Sequence, residues 1–304
     1  MPTFRSQDIP NLQGQVIIVT GGNAGLGYET IRQLSEHNPA RIYLAARSRT
    51  KAEQAITELN QANPQSTDIR FLHLDLASFD SVKAAAADFL RQESRLDILI
   101  NNAGIMMTPE GITKDGYEIQ FGTNVLGPAL FTQLLLPTLR ITTALNNQTR
   151  MVMLSSAAHS RAPNDVYKFD ELRTTAPHRH TTDRYTTSKL ANLHYAQALA
   201  TRERDVKIIP VHPGMVATNL HQASTGTFLN PFLYAAVCLA ATPVEKGALS
   251  QIFAAVSPEA KHGQYSGPVG KAESGSKLAR NGDLQEELFG WVQGEIEGHV
   301  DVIL

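Results

Sequence analysis

The feature that most constrains this chain is an alternation. Short apolar, β-branched runs recur between longer segments of helical pattern: QVIIVT, then Tyr28 to Glu36; RIYLAA, then Lys51 to Gln61; IRFLHL, then Ser81 to Arg91. LDILIN follows, then a helix from about Tyr117 to Arg140, RMVMLSS, a helix from about Thr182 to Arg202, and VKIIPVH. A helix between successive strands returns the chain to the same end of the sheet, so the strands run parallel through right-handed crossovers. The runs are apolar throughout rather than at alternate positions, as a sheet covered on both faces requires. The expected fold is α/β, one doubly wound parallel sheet of about seven strands flanked by helices. A single domain over residues 1–304 is expected, with loop insertions at about 157–183 and 217–243 and a C-terminal extension from about 262.

A hydrophobic content of 42% with 18% charged residues suits a large core. The formal net charge is −2, and beyond a short cluster from Arg47 to Lys51 there is no basic stripe, which argues against a nucleic-acid partner. Cys238 is the single cysteine, so an intrachain disulfide and a CxxC metal site are excluded and a reducing compartment is expected. His159, His178, His180, His212 and His221 form no HExxH or close ligand pair, so no metal is expected. The polar start MPTFRSQDIPNLQG lacks a signal-peptide core, and the longest apolar run, Phe232 to Ala241, is well short of the ~20 residues of a bilayer span. A soluble, cytoplasmic protein without a stable membrane anchor is the expectation.

Glycine weakens strand and helix interiors alike, yet VIIVTGGNAGLGYETIRQL (Val16 to Leu34) concentrates it at their junction. The motif is Thr20-Gly21-Gly22-Asn23-Ala24-Gly25-Leu26-Gly27, spaced differently from G-x-G-x-x-G. A strand, a glycine turn and a helix N-terminus together present backbone N–H groups and a favourable dipole to a pyrophosphate, the arrangement of a Rossmann-type dinucleotide site. In such sites a carboxylate about 20 residues on reads the NAD ribose, while an arginine there accommodates the 2′-phosphate of NADP. The segment AARSR places Arg47 in that position with Arg49 beside it, which favours NADP(H) over NAD(H), the alternative being two solvated charges that open a helix. In HLDLAS, Asp75 and Leu76 are placed to contact the adenine.

Tyr185 and Lys189, in RYTTSKLANLHYAQALA, stand one helical turn apart on one face. An ammonium beside a phenol pulls its pKa down from about 10, which makes Tyr185 a candidate acid/base. Three further elements support the pair: NNAG (Asn101 to Gly104) closing the fourth strand, Asn124 in the following helix, and Ser155 and Ser156 ending the fifth strand. Side chains alternate along a strand, so one serine of that pair faces the crevice.

In this order the motifs TGxxxGxG, NNAG, helix Asn, strand-end Ser, YxxxK and HPGMVATNL resemble those of the classical-type short-chain dehydrogenases/reductases over about residues 14–220. The resemblance implies a tetrad of Asn124, Ser156, Tyr185 and Lys189. Tyr185 would carry the proton, Ser156 would hydrogen-bond the substrate oxygen, Lys189 would also bind the nicotinamide ribose, and Asn124 would hold a relay water. It further implies cofactor contacts from Gly21, Asn23, Gly25, Leu26, Gly27, Asn102, Ala103 and Gly104, and from Pro213, Gly214, Val216 and Thr218 at the nicotinamide end. The 29 residues from Ser156 to Tyr185 are about twice the family's usual separation. That insertion, with YLAAR and PVHPG, is similar to the retinol dehydrogenase-like and WW-domain oxidoreductase-like branch. GQYSGPVGK and DLQEELFGWVQGEIE resemble soluble fungal members, many of them in specialised metabolism.

The expected activity is an NADP(H)-dependent interconversion of a ketone and a secondary alcohol. Phe228, Phe232, Leu233 and Tyr234 suggest a pocket for a lipophilic small-molecule substrate, the alternative being that they only pack the loop against the core, while Cys238 reads as a buried apolar residue. A cofactor-sensing regulator without turnover and a carbon–carbon double-bond reductase are the alternatives. Relatives often pair through the two long helices, so the resemblance allows a homo-oligomer, with the C-terminal extension able to block or extend such an interface, and the oligomeric state stays open.

Overall fold

The computed structural model describes residues 4–63, 67–216 and 241–300. Six strands form one parallel sheet: β1 (Val16–Thr20), β2 (Arg41–Ala46), β3 (Asp68–His73), β4 (Ile98–Asn101), β5 (Arg150–Leu154) and β6 (Lys207–Val211). Their order is β3-β2-β1-β4-β5-β6, so the winding reverses between β1 and β4. Ligands of open parallel sheets bind outside the strand C-terminal ends at such a reversal.

The apolar runs serve two cores. Along β1, Val16 and Ile18 enter one core and Ile17 and Val19 the other, as the two-residue period of a strand requires. The first core lies under α3 (Phe79–Gln92), α4 (Ile119–Thr143), α5 (Thr181–Arg202) and the C-terminal α7 (Gly282–Ile296). The second lies under α1 (Gly25–Ser35), α2 (Arg49–Ala62) and α6 (Val244–Val256). Among the described residues α4 is the one helix long and apolar enough to cross a membrane, and it is a buried core helix of the first layer.

A seventh place beside β6 is taken by residues 263–266. Gly263 N donates to Ile208 O at 2.8 Å and Ser266 N to Pro210 O at 3.1 Å, while His212 N donates to Ser266 O at 3.0 Å. Pairing stops at a single parallel bridge, Val211 with Ser266, because Gly267 and Pro268 turn the chain into a 3-10 turn. The start of the expected C-terminal extension is therefore woven into the sheet edge.

The long segment after β5 is fastened along most of its length. Arg179 pairs with Asp165 at 3.0 Å and Glu171 at 2.6 Å, and Phe169 stacks on Trp291 of α7 with ring centres 4.9 Å apart. Only its first turn, Ala157–Arg161, borders the cleft described next.

Candidate active site

The C-terminal ends of β1, β4, β5 and β6 open into one cleft of about 730 Å³, within the range of a small-molecule or cofactor site. Thirteen of the residues expected at a site line it: Gly21, Asn23, Gly25, Leu26, Asn102, Ala103, Gly104, Ser156, Tyr185, Lys189, Pro213, Gly214 and Val216.

At one end the chain leaves β1 through Gly21, whose φ of +67° an L side chain rarely adopts, and enters α1 at Gly25, with φ of +55°. Ala24 at its N-cap makes no side-chain cap bond, and Gly25 and Leu26 of the first turn line the cleft, so the N-terminus of α1 is presented to it. Gly27 is buried beneath this turn rather than on the cleft. A Cβ there would lie 2.4 Å from Gly21 O and 2.6 Å from Asn102 Nδ2, so its bare backbone lets α1 approach β1.

The NNAG turn is locked to the glycine turn by a residue the sequence reading gave no role. Thr20 Oγ1 accepts from Asn102 N at 3.0 Å and Ala103 N at 2.9 Å, and Asn102 Nδ2 donates to Thr20 O at 2.8 Å. The Asn102 side chain is thereby a brace for the cleft floor. Gly104 lies directly against Asn124 and Lys189: a Cβ there would be 3.1 Å from Asn124 Oδ1 and 3.3 Å from Lys189 Nζ.

Asn124 sits in a π-type turn, Gly122–Leu126, within α4. Its Oδ1 accepts from Ile105 N at 2.8 Å, and its Nδ2 donates to Ile105 O at 2.9 Å and Ser188 Oγ at 3.0 Å. Fully buried and with both ends engaged, this side chain ties the NNAG turn to α5.

The two serines divide their work as strand alternation requires. Ser155 Oγ turns inward and donates to Lys189 O at 2.6 Å, whereas Ser156 lines the cleft together with Tyr185. Among the described residues Lys189 Nζ donates only to Leu154 O, at 3.3 Å, and it stands 5.9 Å from the Tyr185 ring centre. Burial without a carboxylate pushes the Lys189 ammonium down to about 8. Burial also raises the Tyr185 phenol, and Ser156 beside it acts the other way. The lowering of the phenol expected from Lys189 is not seen, because burial sets the direction.

Arg47 and Arg49 have different fates. Arg49 opens α2, pairs with Glu53 at 3.2 Å and lies 4.7 Å from the centre of the Phe71 ring. Arg47, exposed just beyond the C-terminal end of β2, has no hydrogen-bond or ion-pair partner among the described residues. Asp75 is half-buried, its Oδ1 accepting from Ala77 N at 3.1 Å, and Leu76 is buried against Gly127 of α4. Neither Arg47, Asp75 nor Leu76 borders the cleft itself. Thr218, Phe228, Phe232, Leu233, Tyr234, Cys238 and His221 lie outside the described residues.

The cleft also takes in Ile105, Met106, Ala157, Ala158, Ser160 and Arg161, which carried no motif signal, and Met215, which lies within HPGMVATNL but was given no role. Behind Ser156, His159 Nε2 accepts from Ser276 N at 3.2 Å, which leaves Nδ1–H to donate to Ser156 O at 2.8 Å. Tyr265, from the segment beside β6, packs edge-on to this ring at 5.3 Å between centres. Among the described residues no three potential metal ligands come together.

The donor chemistry of this cleft fits a dinucleotide, with open helix-terminal N–H groups at one end and a Ser, Tyr and Lys cluster at the other. The short chain dehydrogenase family model matches residues 15–167. A short-chain dehydrogenase/reductase of Armillaria gallica is 38% identical over 299 residues, 96% of this chain and 93% of that protein. Mouse retinol dehydrogenase 14 is 35% identical over 300 residues, 92% of this chain and 87% of that protein. Among solved structures, one of a putative uncharacterized protein of Mycobacterium paratuberculosis superposes with a TM-score of 0.73 at 25% identity, covering 97% of each chain. A second, of NADPH-bound carbonyl reductase from chicken fatty liver, shares the fold with a TM-score of 0.65 at 23% identity, covering 86% of this chain and 99% of that one. Glycine turn, strand-end serine, tyrosine and lysine therefore stand within a shared ancestry as well as a shared cleft, and the chain belongs to the short-chain dehydrogenase/reductase family of oxidoreductases, related to its fungal and retinol dehydrogenase-like members.

Proposed function

We propose that this protein interconverts a ketone and a secondary alcohol on a lipophilic small molecule, with NADP(H) as cofactor. The observation that carries the reading is that Ser156, Tyr185 and, one helical turn on, the buried Lys189 line the same end of a cleft that begins in the glycine turn.

Gly21, Gly25 and the first turn of α1 would hold the pyrophosphate through backbone N–H groups, which a side chain at Gly21 would crowd against Ala103. Arg47, without a hydrogen-bond or ion-pair partner among the described residues, supplies the guanidinium that a 2′-phosphate requires. The nicotinamide, when bound, supplies or takes up the hydride exchanged with the carbinol carbon. Ser156 is placed to donate a hydrogen bond to the substrate oxygen. Tyr185, kept protonated at neutral pH by its burial, delivers a proton to that oxygen in reduction and recovers it in oxidation. Lys189 provides positive charge as the phenolate forms, and Asn124 holds the NNAG turn and α5 in register around it.

Identification of the product tests the reading. Incubation with NADPH and bulky lipophilic ketones is expected to give the secondary alcohol with equivalent loss of absorbance at 340 nm. A saturated ketone recovered from an enone, with the carbonyl intact, would move the assignment to double-bond reduction.

A further inference from the structure

The first turn after β5 carries a cation that the chemistry above leaves unused. Arg161 ends the 3-10 turn Ala157–Arg161, which Ser156 caps by accepting from Ala158 N at 3.1 Å. It is exposed, it borders the cleft, and it has no hydrogen-bond or ion-pair partner among the described residues. The other lysine and arginines of this segment are all engaged. Lys168 pairs with Asp165, Arg179 with Asp165 and Glu171, Arg173 with Glu295, and Arg184 with the buried Glu118. Among the described residues the cleft lining contains no aspartate or glutamate, and Arg161 and Lys189 are its charged side chains.

Position separates this guanidinium from the dinucleotide phosphates. The glycine turn follows β1, whereas Arg161 follows β5, two places along the sheet, or roughly 10 Å at the spacing of adjacent strands. Arg161 instead shares its turn with Ser156, the residue placed on the substrate oxygen. Between them lie Ala157 and Ala158, and Met106 and Met215 add apolar surface to the same cleft.

From these observations we infer that Arg161 anchors an acidic group of the substrate, and that the substrate is an apolar ketone or secondary alcohol bearing a carboxylate. A guanidinium fork matches a carboxylate in two parallel hydrogen bonds, and the alanines and methionines cover an apolar body between the two ends. This inference rests on the cleft being the ketone-reducing site proposed above.

The test uses aryl ketones carrying a terminal carboxylate, such as 4-oxo-4-phenylbutanoate and longer homologues, each beside its methyl ester. With NADPH, the wild-type kcat/KM for the acid is expected to exceed that for the ester by about tenfold, mostly through KM, as suits one charge-assisted pair open to solvent. In Arg161→Gln the acid-to-ester ratio falls to about one, and Arg161→Lys retains part of it. A ratio unaffected by Arg161→Gln overturns the inference while leaving the ketone reduction standing. Calorimetric titration of the NADP(H)-loaded protein with 4-phenylbutanoate and its methyl ester gives a readout without turnover. Tighter binding of the acid that depends on Arg161 upholds the anchor even where no ketone is reduced, and equal binding of acid and ester in the wild type contradicts it.

Discussion

Lys189 Nζ stands 5.9 Å from the centre of the Tyr185 ring, and both side chains are buried, with no carboxylate paired to the ammonium among the described residues. Desolvation favours the neutral form of each, raising the phenol and bringing the ammonium to about 8. In the cofactor-free protein the lysine therefore gives up its proton before the tyrosine does. Titration followed by tyrosinate absorbance near 295 nm, as the difference between wild type and Tyr185→Phe, is expected to show no Tyr185 ionisation below about pH 10. A tyrosinate signal from this residue near pH 7 would show that the lysine charge outweighs burial.

Arg47 carries the cofactor preference in this account, while Arg49 is already held by Glu53 and Phe71. Arg47→Asp is expected to lower kcat/KM for NADPH by about 10- to 100-fold and to leave that for NADH within a few-fold, since it removes a charge-assisted contact and introduces repulsion toward a 2′-phosphate. Steady-state kinetics with both cofactors checks this. Equal losses for the two would place the Arg47 side chain away from the ribose.

Glu118 and Arg184 form a pair whose side chains are 1% and 5% exposed, at 3.0 Å, joining the start of α4 to α5 beside Tyr185. Arg184 also donates to Thr108 O at 3.2 Å. Removing one member leaves a buried charge without its partner, so Glu118→Gln is expected to destabilise the fold by about 3 kcal/mol. Urea unfolding measures it, and a loss under about 1 kcal/mol would mean that the Thr108 and Pro109 carbonyls suffice for the guanidinium.

His194, fully buried on α5, donates from Nε2 to Leu278 O at 3.0 Å and so accepts at Nδ1 from the Tyr167 hydroxyl at 2.9 Å. Burial lowers it to about 4 from an ordinary value near 6.5. Between these values the unfolded chain binds the proton and the folded chain does not, so stability falls as pH drops through that window, by up to about 3 kcal/mol. The unfolding free energy of His194→Gln is expected to decline less steeply from pH 6.5 to 4.5, by close to one proton. Parallel slopes for variant and wild type would contradict the neutral imidazole.

Much of this was legible in the sequence because local rules carry it. The strands and helices followed from hydrophobic period, and the serine pair from strand alternation, with Ser156 outward and Ser155 bonded to Lys189 O. The helix-turn spacing of Tyr185 and Lys189 likewise needed nothing but the 3.6-residue repeat. Residues whose roles depend on distant partners were not legible. Gly27 reads as a phosphate-facing glycine until Gly21 O is found beneath it. His159 braces Ser156 through Ser276 and Tyr265, more than a hundred residues away, and nothing in its neighbours announces this. Residues 263–266 read as an extension because their pairing rests on β6 rather than on their own pattern. Arg161 gives a faint signal, five residues beyond Ser156, which acquires meaning only when every neighbouring cation is found to be paired.

The central claim, that Tyr185 is the proton donor of an NADP(H)-dependent carbonyl reduction, is tested most directly by Tyr185→Phe. NADPH affinity, read by fluorescence titration, is expected to stay within a few-fold of wild type while kcat for ketone reduction falls by about 10²- to 10⁴-fold, the share a positioned general acid supplies. A variant that binds NADPH and turns over at near wild-type kcat would contradict the account.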